Sequence, residues 1–308
     1  MKLTVLAGGV GAARFLEGVV QVVPQEDVTV VSNTGDDEEF FGLRVSPDID
    51  IVIYTLAGAV DAEKGWGLTG ETFHALEALR RFGYETWFNL GDGDLATLAH
   101  RTRLLRAGAT LADATRSIAE AFGLRLALLP VSNDRIRTLV ETDAGTLSFQ
   151  EYFVKRRTED AVRSVRFGGI DTATPAPGVL EAIRDADAVA IAPSNPVVSI
   201  GPLLAVAGVR DALRETRASV VAVSPIIGGK TVKGPADRMM ASLGMTPTAA
   251  GIAEAYADFL DVLVIDEVDG ALAGAVEAAG VRCIVAPTIM RGPAEKRALA
   301  EVALGAVQ

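Results

Sequence analysis

A Rossmann-like α/β fold is predicted for this 308-residue chain, with a doubly wound, mostly parallel sheet and a small β-rich insertion. Three observations predict it. Short apolar runs alternate with amphipathic helical periods over most of the length. A glycine turn follows directly on the first of those runs. Between Leu126 and Phe167 the alternation gives way to brief β-like runs broken by polar turns and the basic stretch Lys155-Arg156-Arg157.

Taken in order, residues 2–7 read as a strand, Gly8-Gly9-Val10-Gly11 as a turn, and residues 12–23 as a helix with Phe15, Leu16, Val19 and Val20 on its apolar face. A second strand over residues 28–32 completes a βαβ opening. Ser46-Pro47 supplies a capping serine and a proline at the first helical position, which starts a helix to about Leu56. Helical periods follow at 71–81, 94–106 and 111–122. The β-like runs of the insertion are 136–141, 146–149 and 162–167. From Val179 the α/β alternation resumes, with strands at 188–192, 220–223, 262–265 and 282–285. The division this predicts is residues 1–125 for the first part of the core, 126–175 for the insertion and 176–308 for the second part.

Composition narrows the function. Hydrophobic residues make up 49% of the chain, enough for a core that needs no disulfides, and the single cysteine, Cys283, lies in an apolar run expected to bury it. The first apolar run is too short for a signal or a membrane span, so a cytoplasmic protein is expected. With 29 basic against 40 acidic residues the net charge is −11, which argues against nucleic-acid or anionic-membrane partners. An acidic protein that binds phosphates must counter them locally, with backbone amides, a few cations or a divalent metal.

Doubly wound sheets bind ligands at the C-terminal ends of their strands, and the residues there carry the candidate chemistry. In the first turn, Gly8, Gly9, Val10 and Gly11 would offer backbone amides to a nucleotide's phosphates, helped by the following helix terminus and by Arg14. Arg14 stands where a nicotinamide fingerprint has its third glycine. The second strand ends in Ser32-Asn33-Thr34, without a ribose-binding carboxylate. Both departures disfavour a dehydrogenase. Asp36, after a glycine at a strand end, is a candidate metal ligand. Asp48 and Asp50 open the helix after Ser46, where they either complement its dipole or help hold Mg²⁺ on phosphate. Gly91-Asp92-Gly93-Asp94 follows the apolar run 87–90 and reads as an acidic turn at a strand end. Ser194 and Asn195 follow a fully apolar strand, and Lys230 and Lys233 follow another. The two histidines, His74 and His100, lack metal-ligand spacing and read as structural or surface residues.

Together the motifs closely resemble the family of 2-phospho-L-lactate transferases, called phosphoenolpyruvate transferases in bacteria, of deazaflavin coenzyme F-420 biosynthesis. The matching stretches are Leu6-Ala-Gly-Gly-Val-Gly11, Asn33-Thr-Gly-Asp-Asp37, Ser46-Pro-Asp-Ile-Asp50, Gly65-Trp-Gly67, Leu90 to Thr97, Phe149-Gln-Glu151, Ala192 to Pro202 and Ser224 to Gly228. The resemblance implies transfer of a phosphorylated three-carbon acid from its guanosine diphosphate conjugate to the ribityl hydroxyl of the deazaflavin Fo, with release of GMP. It also implies Mg²⁺ dependence and a homodimer. The glycine turn, Arg14, Ser194, Asn195 and Lys230 would face the nucleotide. Asp50, Asn89, Asp92 and Asp94 would face Fo, and Asp36 with Asp50 would be the catalytic and metal-binding pair. Two segments depart from the family's pattern: Gly93 stands where an arginine is common, and Leu98 where a histidine is. A non-enzymatic alternative is a UDP-sugar-binding regulator resembling the gluconeogenesis-factor family.

Overall fold

A computed structural model of the chain describes residues 1–61 and 63–307. Its central sheet has seven strands, β1 (Leu3–Ala7), β2 (Val28–Ser32), β3 (Ala127–Pro130), β4 (Ala188–Ile191), β5 (Ser219–Val223), β6 (Val262–Ile265) and β7 (Arg282–Val285). They lie in the order β7-β6-β5-β4-β1-β2-β3, and every pairing is parallel. The chain therefore winds one way from β1 to β3 and the other from β4 to β7. The direction reverses between β1 and β4, where such sheets open a crevice at their C-terminal edge. The Rossmann-like doubly wound architecture read from the sequence is the one observed.

The sheet is buried on both faces, which is why its strands are apolar runs rather than alternating ones. Leu3, Val5 and Ala7 of β1 pack in one layer with Phe15, Leu16 and Val19 of α1 (Gly9–Val19) and Ile49 and Ile53 of α2 (Pro47–Leu56). Leu6 packs in the other, with Val31, Val189 and Ile191. A Cβ on Gly18 would stand 2.0 Å from the Lys296 carbonyl oxygen, so this glycine lets α1 meet the C-terminal helix Pro293–Gly305. Helix α1 starts three residues earlier than its apolar period suggests, because Gly9 turns the chain at φ +75° and the helix begins there.

Three further helices complete the first half: α3 (His74–Arg80), α4 (Asp92–Arg106) and α5 (Leu111–Ala121). Residues 87–90 are not a strand. Trp87, Phe88 and Leu90 instead close a small apolar cluster with Phe40, Val45 and Leu98, and Phe40 and Phe88 stack with ring centres 4.4 Å apart. Ala127–Pro130 pairs with β2 as the edge strand β3, whereas the β-rich segment is a three-stranded antiparallel sheet of Arg137–Thr142, Gly145–Ser148 and Val162–Gly168. A π-helical turn at Glu151–Lys155, which no periodicity signalled, links the last two. Cys283, expected to be buried, is half-buried because β7 is the sheet's other edge. Among the described residues no helix is long and apolar enough to cross a membrane.

Candidate active site

At the switch point the loops after β1 and β4 are stapled together. The Ser194 hydroxyl donates to the Gly8 carbonyl at 2.8 Å, and a Cβ on Gly11 would lie 2.3 Å from the Pro193 carbonyl oxygen. Glycine at position 11 is thus a packing requirement. Above this staple lies a cleft of about 510 Å³, a size suited to a small ligand. Its lining includes Gly8, Gly9, Val10, Gly11, Arg14, Asp36, Asp48, Asp50, Asn89, Asp94, Ser194 and Asn195. A smaller hollow of about 270 Å³ beside Tyr256 carries little chemistry, since its Arg210 is already paired with Asp258.

The acids of the cleft fall into two groups, and the reason is helical geometry. Asp48 and Asp50 are two residues apart near the start of α2, so they project in directions roughly 200° apart. Asp48 turns toward the glycine turn: its carboxylate accepts from Asn33 Nδ2 at 2.9 Å and from the Gly9 amide. Asp50 turns toward α4, where it meets the wholly buried Arg101 through both oxygens, with Nη1 donating to Oδ2 at 3.0 Å and Nη2 to Oδ1. The structure therefore brings Asp36 to Asp48, not to Asp50. Burial and then the charge of Asp48 push the Asp36 carboxyl well up, and burial raises Asp48 to about 6. Asp37, behind them, is raised to about 7 by burial, partly offset by the Ser46 hydroxyl donating at 2.6 Å.

These acids fit a dication. Asp36 Oδ1 is buried with no hydrogen-bond partner among the described residues, and two neighbouring carboxylates beside a phosphate-sized turn are costly without a positive charge between them. Among the described residues no three His, Cys, Asp or Glu side chains gather as a metal cage. Mg²⁺ does not require one, since it takes one or two carboxylates with phosphate oxygens and water.

The other half of the cleft is apolar and aromatic. Phe88, Phe149 and Phe153 line it with Trp66. Phe149 and Phe153 stack at 5.5 Å, with Phe153 presented by the π-helical turn. Exposed Asn89 lies at this end. Asp94, raised to about 6 by burial with the Gly91 amide opposing, lies there beside the buried Tyr54.

Three expected residues serve other purposes. Asp92 turns out of the cleft and caps α3, accepting from the amides of His74 (3.2 Å) and Ala75 (3.0 Å) and from the Thr72 hydroxyl (2.6 Å). Asn195 spends its oxygen on its own turn, accepting from the Val197 amide at 2.9 Å. Lys230 sits in the hairpin Ile226–Ile227/Lys230–Thr231, outside the cleft, and Lys233 lines it instead. Exposed His74 lies beside Asp92, and His100 meets the Ser117 hydroxyl at 3.0 Å. Sequence reasoning passed over Tyr54 and Phe153; Trp66 entered only within the matching stretch Gly65-Trp-Gly67 and Arg101 only as a family position, and all four arrive from distant segments. Only the aromatic content of residues 149–153 hinted at a wall.

Fold and site together define a Rossmann-like α/β protein with a composite cleft, polar at the switch point and aromatic at its far end. The chain belongs to the family described as 2-phospho-L-lactate transferase CofD, which matches residues 3–280. It is 46% identical to the phosphoenolpyruvate transferase of Streptomyces griseus, over 99% of this chain and 98% of that protein. It is 38% identical to the 2-phospho-L-lactate transferase of Methanosarcina mazei, over 99% and 100%. A crystal structure of a UPF0052-family protein from Bacillus halodurans shares the fold, with a TM-score of 0.64 and 18% identity over 98% of this chain and 99% of that one. The resemblance read from the motifs is thus confirmed, and the protein is an enzyme of a transferase family.

Proposed function

We propose that the protein transfers a phosphorylated three-carbon acid, 2-phospholactate or enolpyruvyl phosphate, from its guanosine diphosphate conjugate to the ribityl hydroxyl of Fo in coenzyme F-420 biosynthesis, releasing GMP. The observation that carries this reading is the cleft's division. An amide-lined glycine turn beside two buried carboxylates with no ion pair among the described residues suits a metal-bound diphosphate, and an aromatic wall at the other end suits a flat heterocycle. The relatives named as phosphoenolpyruvate and 2-phospho-L-lactate transferases support it.

In this reading the amides of Val10 and Gly11 hold the phosphates, with the Arg14 guanidinium beside them, and the staple at Ser194 keeps the turn in place. Asp36 and Asp48 would hold Mg²⁺, which when bound supplies positive charge to the phosphate oxygens. The ribityl oxygen attacks the phosphorus that carries the three-carbon acid, and the bond from that phosphorus to the bridging oxygen breaks with GMP as the leaving group. Asp50, fixed by Arg101, orients the hydroxyl. Asp94, which titrates near 6, takes its proton. Most of the rate enhancement then comes from positioning and charge stabilisation. Incubation with Fo, the 2-phospholactyl conjugate and Mg²⁺ should release GMP in step with loss of Fo. Absence of GMP, with tight binding of a UDP-sugar, would favour the regulator instead.

A further inference from the structure

Arg14 and Lys233 share one corner of the cleft and, among the described residues, have no acidic partner. Position 65 locates them: a Cβ built on Gly65 would stand 3.5 Å from Lys233 Nζ and 3.8 Å from an Arg14 guanidinium nitrogen, so both cations reach one small volume. Neither is in an ion pair among the described residues, although four aspartates line the same cleft. Among the described residues Lys233 makes one long hydrogen bond, 3.5 Å to the Lys64 carbonyl oxygen. Partial burial, and next the charge of Arg14, lower the lysine's affinity for its proton. In a chain with 11 more acidic than basic residues, two adjacent cations without a counter-charge leave an electrostatic cost that an anion between them would remove.

The location indicates which anion. Arg14 is on the second turn of α1, the helix that the glycine turn opens, and its guanidinium ends beside Gly65, so the pair borders the phosphate turn on that side. The turn Gly65-Trp66-Gly67, with both glycines at φ +69°, runs from this corner to the acceptor end, where a Cβ on Gly67 would lie 4.0 Å from Asp94 Oδ2. The corner is therefore between the nucleotide and the acceptor, where the transferred group must lie. Resting on the function proposed above, we infer that Arg14 and Lys233 bind the carboxylate of the three-carbon acid, with Lys233 as a substrate-binding residue. The carboxylate belongs to the donor and is absent from free GDP, so Lys233 distinguishes the loaded conjugate from the bare nucleotide.

Direct binding tests this without turnover. With Mg²⁺ present, Lys233→Met should weaken the 2-phospholactyl conjugate of guanosine diphosphate by about tenfold or more, the size of one charge-assisted contact. It should change the affinity for GDP by less than about twofold. Lys233→Arg should recover most of the loss. Because the substitution removes a repulsion, the melting temperature of the ligand-free variant should hold or rise. Equal losses for conjugate and GDP would show that the lysine serves the diphosphate, and unchanged conjugate affinity would remove it from the site; either overturns the inference. If the wild type binds the conjugate in this lysine-dependent way yet releases no GMP with Fo, the transfer reading fails while the carboxylate site stands. If the wild type does not bind the conjugate at all, both fall.

Discussion

Gly8-Gly9-Val10-Gly11 and Gly91-Asp92-Gly93-Asp94 each open a helix with more than one glycine, and they have opposite fates. Gly8-Gly9-Val10-Gly11 leads into α1, where Asp48 of α2 accepts from the Gly9 amide, no acid lies in the helix's own first turn, and Val10 and Gly11 line the cleft. Gly91-Asp92-Gly93-Asp94 leads into α4, and there the protein fills the position itself. Glu71 accepts from the amides of Gly93 (2.9 Å) and Asp94 (2.8 Å), and Asp94 accepts from Gly91 at 3.2 Å. In sequence the two look alike, glycines before an amphipathic period. In the structure one keeps Val10 and Gly11 on the cleft, and the other is an internally satisfied turn that fixes where α4 begins. Glycine spacing alone does not make an anion site; what already occupies the amides decides.

The largest effect should come from the helix that the second turn anchors. Arg101 is fully buried on α4 and meets Asp50 through both nitrogens. Arg101→Met would leave the Asp50 carboxylate facing an apolar group, a loss of about 3–5 kcal/mol in unfolding free energy by urea titration. Adding Asp50→Asn should recover much of that stability but not the turnover. If the single variant proves as stable as the wild type, α4 does not owe its placement to this pair. Next in size, the same substitution made in both turns should give unequal results. At Gly11 a Cβ strikes the Pro193 carbonyl oxygen at 2.3 Å, a backbone atom that cannot swing away. At Gly93 it meets the Glu71 carboxylate at 2.8 Å, the free end of a side chain. Gly11→Ala should therefore cut kcat/KM for GMP release by about a hundredfold, as misplaced positioning groups do. Gly93→Ala should cost severalfold at most, and equal losses would erase the distinction.

A smaller effect separates the turns by pH. Behind the first turn Asp37 is buried and raised to about 7. Between its unfolded pKa of about 4 and that value, the folded protein holds a proton that the unfolded chain has released. The group's contribution to stability is therefore present at low pH and lost as the pH rises through about 7. Asp37→Asn lacks this dependence, so its melting temperature should gain on the wild type by a few degrees between about pH 5 and pH 8. A constant difference would mean that Asp37 is not raised.

What could be read from the sequence follows from how local each feature is. The strands and the helix after Ser46-Pro47 were legible because their apolar periods and caps lie within a few residues, and the bounds of α2, β6 and β7 agree with expectation. The glycine turn, Arg14, Asp36 and Ser194 were legible as residues at strand ends, which a parallel sheet brings to one edge. The pairings across segments were not. Nothing in the spacing of Asp48 and Asp50 tells which faces Asp36, and Arg101 looks like any surface arginine on a helix until α4 is packed. The run 87–90 carries strand-like residues, yet its rings find Phe40 before any sheet edge. Glu71, 22 residues from the amide of Gly93 that it caps, gives no local sign of that role.

Glu71 supplies the smallest effect and the sharpest test of the comparison. Its carboxylate fits over the start of α4 only because positions 91 and 93 have no side chains; a Cβ on Gly91 would lie 2.0 Å from Glu71 Cδ. Glu71→Ala removes a cap and a favourable charge at the helix's positive end, a loss of about 1 kcal/mol, and Glu71→Gln should lose less because an acceptor oxygen remains. The alanine variant also uncovers amides that the wild type hides. Inorganic phosphate should therefore raise the melting temperature of Glu71→Ala more than that of the wild type, by an increment that disappears in high salt. If phosphate raises both equally, the amides of α4 are closed by something other than Glu71, and the contrast between the two turns does not rest on this residue.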